Sequence, residues 1–182
     1  QIYNSLSEIY KIQEDTATAL LIVQQGREKY PTNFDLLIAE TNFYLSSGDS
    51  ENALKLLELA IQQDATNPSI FFAVGTNYDQ MGEFDKAENA YMEAIRLNPD
   101  YFDANYNLGA LYVNQAAEIQ KEANDLPLEA TEQYEKMKQE ANALLEKSLP
   151  YLEKSNEINP EDMNTLRSLK EIYTRLNMMD KL

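Results

Sequence analysis

Carboxylates are the only abundant groups in this chain that could move protons or hold a cation: 31 Asp and Glu stand against 15 Lys and Arg, with no His and no Cys. Their absence removes imidazole bases, thiolate nucleophiles, disulfides and the usual zinc ligands together. Catalysis would have to rest on paired acids, as in glycoside hydrolysis, or on Ser, Lys or Tyr. No pair of acids is set apart by its spacing, so the chain reads as non-catalytic. Asp100, Asp103 and Asn105 could offer oxygen ligands to a cation. They lack the turn glycine and closing Glu of a calcium loop, so helix capping explains them better. The five glycines, Gly26, Gly48, Gly75, Gly82 and Gly109, are isolated and none opens a helix after a strand. No phosphate-binding loop is present, and neither a cofactor nor a metal is expected.

The formal net charge of −16 over 182 residues repels phosphate backbones and anionic lipid, which argues against nucleic acid as a partner. The longest purely apolar stretch, Ala19 to Val23, is far short of the roughly 20 residues of a membrane span, so no membrane insertion by this segment is expected. A start at Gln1 leaves the compartment open between cytoplasm and export with a removed signal.

The elements that position these residues follow a period of 34. Tyr10, Tyr44, Tyr78 and Tyr112 are spaced by it, as are Ala19, Ala53 and Ala87; Gly26, Ala60 and Ala94; and Val23, Leu57 and Tyr91. Gly75 with Gly109 and Gly48 with Gly82 share the frame. Such a period marks stacked helical hairpins, with small residues where backbones approach and aromatics filling the space beside them. Gly48 and Gly82 suit the turns, and Pro31, Pro99 and Pro160 end the second helices.

The copy from Pro68 to Tyr101, with Phe71, Val74, Gly75, Tyr78, Ala87, Tyr91, Ala94 and Pro99 at their offsets, resembles the tetratricopeptide repeat family. The first copy departs at Ser7, and the second at Glu40 and Thr41, where Leu and Gly would stand; looser packing is expected there. The resemblance implies an all-α, right-handed α-α superhelix of about 4.5 helix-turn-helix repeats. The frame divides it at 1–33, 34–67, 68–101, 102–162 and a partial 163–182. The spacing predicts helices over Ile2 to Ile12, Thr16 to Lys29, Phe34 to Leu45 and Ser50 to Gln63. Further sequence beyond Gln1 and Leu182, or a crystal or dimer contact at the first face, is expected.

The fourth copy holds 27 extra residues, because its closing Pro160 arrives 61 residues after Pro99. Both its helices should lengthen, each by around 13 residues or roughly 20 Å if shared evenly, broken at Asn124 to Pro127. Ile119, Ala123, Met137, Ala141 and Leu144 are the expected seam, and Pro150 should kink the second helix near Leu149. The helix after Pro160, with Leu166, Leu169 and Tyr173, would cap that copy or belong to an incomplete repeat.

The resemblance also implies that first helices line a concave groove. Its residues would be Ile38, Asn42 and Leu45; Phe72, Thr76, Asp79 and Gln80; Tyr106, Ala110, Val113 and Asn114; and Arg167, Glu171 and Arg175. Phe72 and Tyr106, one period apart, would form an aromatic anchor for a peptide side chain or else shield each other. The chaperone-binding subclass clamps a carboxylate with cations at places held here by Ile38 or Phe72 and by Asp103 or Asn164, which argues against that partner. The function implied is a scaffold that binds a peptide or helix of another protein. The alternative is a structural or oligomerisation module acting through the extended fourth hairpin or the open repeat ends.

Overall fold

The computed structural model describes Ile2 to Lys181, without the side chain of Met179. Gln1 and Leu182, the outer limits of the first and last copies, lie outside the described residues. Nine α-helices and one 3₁₀ turn make up the described structure: α1 Ile2–Ile12, α2 Thr16–Lys29, α3 Phe34–Ser47, α4 Ser50–Gln63, α5 Pro68–Gln80, α6 Phe84–Leu97, α7 Phe102–Asn124, α8 Thr131–Ile158, α9 Met163–Arg175 and the turn Met179–Lys181. α3 runs two residues past the expected Leu45, to the left-handed Gly48 at φ 74°.

Helix starts are set by short polar side chains at periodic places. Asp15, Asn33, Asp49, Asn67 and Asp162 each accept a backbone N–H from the first turn of the helix that follows. Part of the acidic composition is therefore capping, worth about 1 kcal/mol per helix. The reading of Asp100, Asp103 and Asn105 changes in detail. The N-cap of α7 is Tyr101, with no side-chain cap bond. Asp100 instead pairs with Lys154 Nζ at 2.8 Å, and Asn105 Nδ2 donates to the carbonyls of Pro99 and Tyr101. Asp103 lies in the first turn of α7, where the helix dipole favours it.

The chain forms two compact units, residues 1–83 and 84–182. In the first, Ala19 and Val23 of α2 are fully buried against Leu36 and Phe43 of α3, with Tyr3 and Tyr10 of α1 beside them. A second cluster joins Leu37 of α3, Leu57 and Ala60 of α4 and Ile70 of α5. Asn77 Nδ2 donates to the Ser50 carbonyl at 3.0 Å and ties α5 to the start of α4.

In the second unit α7 has 23 residues against 13 in α5, and α8 has 28 against 14 in α6. The extension is uneven because Pro127 cannot continue α7, and the break falls nearer to its start than to the end of α8. Ala116, Ala123, Ala141 and Leu145 are buried along the hairpin, with Ile119 and Leu144 packed beside them and Met137 half-buried. α8 passes through Pro150 without a break. α9 covers the hairpin through Leu169, Ile172 and Tyr173. It is pinned by Tyr173 Oη donating to Glu153 Oε1 at 2.8 Å and by Arg175 Nη2 donating to Gln120 Oε1 at 2.8 Å.

Candidate binding groove

On a first helix, residues i, i+4 and i+7 share one face. In α3 these are Ile38, Asn42 and Leu45, and one period earlier the same places of α1 are Asn4, Glu8 and Lys11. α1 and α3 bring their copies together around an open cleft of about 190 Å³, lined by Asn4, Ser7, Glu8 and Lys11 from α1 and by Asp35, Ile38, Ala39 and Asn42 from α3. That space suits one or two side chains of a polypeptide, and it is smaller than a typical small-molecule or cofactor pocket.

The polar groups of the cleft are unevenly satisfied. Lys11 Nζ is held by Glu8 Oε1 at 2.8 Å and lies 4.7 Å from the centre of the Phe43 ring. Asn4 Oδ1 and Ser7 Oγ are buried without a hydrogen-bond partner, and Ser7 is only 1% exposed. A buried polar atom left unpaired costs on the order of 1–3 kcal/mol. With Asp35 and Glu8 alongside, the cleft is acceptor-rich.

The remaining expected groove residues lie as follows. Asn42 is exposed, Leu45 is half-buried, and Ile38 is half-buried with one side against the Leu37–Leu57 cluster. On α5, Phe72, Thr76 and Asp79 are half-buried and Gln80 is exposed, with the Thr76 hydroxyl donating to the Phe72 carbonyl at 3.0 Å. These belong to the first unit. In the second, Tyr106 is stacked on Phe102, centroids 6.1 Å apart and planes within 9°, and both Tyr106 and Val113 pack on the α8–α9 core. Ala110 is half-buried, while Asn114, Arg167 and Glu171 are exposed. Arg175 is engaged by Gln120. Sequence reading missed Asn4, Ser7, Glu8 and Lys11, although carrying the α3 columns back by one period reaches Asn4, Glu8 and Lys11.

Where the second copy departs from the repeat pattern, a polar network forms beside an open cleft of about 380 Å³ lined by Gln24, Arg27, Glu28 and Glu40. Glu40 is 7% exposed and accepts from Arg27 Nη1 at 2.6 Å and from Gln24 Nε2 at 3.3 Å. Gln24 also reaches the Tyr44 hydroxyl at 3.1 Å, and the buried Thr41 hydroxyl donates to the Leu37 carbonyl.

Two tyrosines are shifted. Burial, then the Glu88 carboxylate, raises the Tyr112 phenol well above the ordinary range, with Lys147 Nζ 4.4 Å from the centre of its ring. Burial and Glu153 push Tyr173 up to about 12. Both effects keep a phenol neutral inside the second unit, away from the cleft. Among the described residues no cluster of three or more acids is arranged to hold a metal, and no helix is long and apolar enough to cross a membrane.

Paired helices repeating every 34 residues, with small residues at the contacts, define an α-α solenoid. Residues 75–115 match the family described as TPR repeat. No curated protein matches the sequence. Among solved structures, the chain is similar to the crystal structure of MamA protein (19% identity, 99% of this chain and 84% of that one, TM-score 0.71). A second crystal structure of MamA matches at 20% identity over 96% of this chain and 86% of that one, TM-score 0.71. MamA 41-end from Desulfovibrio magneticus RS-1 matches at 14% identity over 88% and 76%, TM-score 0.65.

Proposed function

We propose that the chain is a non-catalytic scaffold that binds an extended segment of a partner protein on the first-helix face of its first unit. The observation that carries this reading is the cleft between α1 and α3, where Asn4 Oδ1 and Ser7 Oγ are buried and unpaired. A peptide N–H or a Lys or Arg head entering the cleft would meet the Asp35 carboxylate, Glu8 being already paired with Lys11. Asn42 supplies an exposed amide at the rim, and Thr76, Gln80 and Phe72 continue the face along α5 as polar contacts and anchor. In the second unit Tyr106, Ala110, Val113, Asn114 and Arg167 form the corresponding surface. A random 12-residue peptide library panned against the protein tests this reading. Enrichment of basic or apolar peptides that no longer bind Asn4→Leu and Asn42→Ala supports it; peptides indifferent to both substitutions contradict it.

A second reading is favoured by α1, whose outer edge exposes Ile2 (81%), Leu6 (40%) and Ile9 (50%). One period later these places are Leu36, Glu40 and Phe43, all buried, the first and last against α2. The edge is shaped for a helix, so the chain would self-associate through α1. Light scattering checks it: a dimer converted to monomer by Ile2→Ser with Ile9→Ser supports the reading, and a monomer at every concentration contradicts it.

A further inference from the structure

The turn joining α7 to α8 is unusual for a solvated loop. Its sequence is Leu-Pro-Leu at 126–128, and Leu128 is 96% exposed, more than any other large apolar side chain described. Beside it lies an open pocket of about 300 Å³ whose apolar wall is Ala123, Leu126, Pro127, Leu128, Ala130 and Tyr134. The turn is held in shape by Leu126 N–H donating to the Ala123 carbonyl at 3.2 Å and Ala130 N–H donating to the Pro127 carbonyl at 2.9 Å. A preformed pocket lowers the ordering cost of binding. Among the described residues, none of α9 lines it.

The rim is predominantly acidic, with Lys121 and Lys136 at its two flanks. From Glu122 to Glu135 there are five acids and no Lys or Arg. Glu122, Asp125, Glu129 and Glu132 are exposed, and among the described residues none of their carboxylates has an ion pair; Glu135 alone has Lys138, at 3.6 Å. Like charge disfavours a second copy of this chain, nucleic acid or an anionic membrane at this rim.

We propose that this turn is a docking site for a basic amphipathic segment of a partner protein, which seats apolar side chains in the pocket beside Leu128 while its Lys or Arg residues meet the four unpaired carboxylates. The site is separate from the cleft of the first unit and stands or falls independently of it. Its small area places the complex among weak, transient ones.

The test uses a fluorescein-labelled 14-residue helix of Leu and Lys as probe, a Leu and Glu counterpart as control, and anisotropy at physiological salt. The Leu and Lys probe is expected to bind and the counterpart not to. Leu128→Ser and Tyr134→Ser should each weaken binding about tenfold, and Glu122→Gln, Asp125→Asn, Glu129→Gln and Glu132→Gln together should remove most of its salt dependence. Leu128 is exposed, so its substitution leaves the fold intact, as circular dichroism would verify. Equal affinity of both serine variants and the parent would show capture by general negative charge and overturn the proposal. Absence of binding, or equal binding of the counterpart, would overturn it as well.

Discussion

Arg27 Nη1 and Glu40 Oε2 lie 2.6 Å apart, joining α2 to α3 at a place where the repeat pattern carries an apolar side chain. The Glu40 side chain is 9% exposed and that of Arg27 21%, so removing one partner leaves a charge mostly out of water. Glu40→Ala should cost about 2 kcal/mol, below the 3–5 of a fully buried pair because Arg27 keeps some solvent. The double change Arg27→Met with Glu40→Leu should fall close to the parent protein. Urea denaturation of the two singles and the double checks the expected coupling.

Gly109 is required by Leu152. A Cβ at Gly109 would meet Leu152 Cγ at 2.6 Å and Cδ2 at 2.8 Å, and Leu152 is fully buried. Gly109→Ala should therefore lower stability by about 1–2 kcal/mol, the clash outweighing the better helix propensity of Ala. Thermal melting gives the answer, and an increase in Tm would show that α7 and α8 part easily.

Glu14 has φ 61°, the left-handed region, as do Gly48, Gly82 and Asn177. The first three share a column one period apart. Glu14→Gly should stabilise the first hairpin by about 0.5–1 kcal/mol by relieving backbone strain. Glu14→Ala should give no gain, and comparing the two melts separates backbone strain from loss of charge.

Stability should fall at both ends of the pH range. Asp15 and Asp162 are held below the usual carboxylate range by the Thr18 and Thr165 side chains and backbones that they cap, and Glu153 by Lys181 and Tyr173. A depressed folded value gives stability that is present above the unfolded value and is lost as pH falls through the folded one, so acid should loosen these helix starts and the tail. Tyr112 and Tyr173 are raised, so their contribution is complete below the unfolded value near 10 and is lost as pH rises through the folded values. Ultraviolet titration of phenolate should show these two ionising last, and Tyr112→Phe should flatten the alkaline decline in stability.

The fold was legible because the period joins columns that packing must satisfy together: Ala19, Ala53 and Ala87 are each fully buried. The turn glycines were legible for the same reason. Glu14 was not, because a side chain that favours other backbone regions occupies a place fixed by its neighbours. The break at Asn124 to Pro127 was visible, but its open apolar pocket depends on the side-chain positions in the turn. The cleft was only half legible. Ile38 and Asn42 follow from helical spacing, whereas Ser7 stands at a place where the repeat carries Gly, and only geometry shows its hydroxyl buried without a partner.

A partner segment seated between α1 and α3 would perturb the backbone amides that line that cleft. The most direct measurement is NMR mapping of the ¹⁵N-labelled protein titrated with a basic peptide enriched by panning. Saturable shifts confined to the groove face, at Asn4, Ser7, Glu8, Asn42 and their neighbours, are expected. Shifts centred elsewhere, with α1 and α3 unmoved, would contradict it.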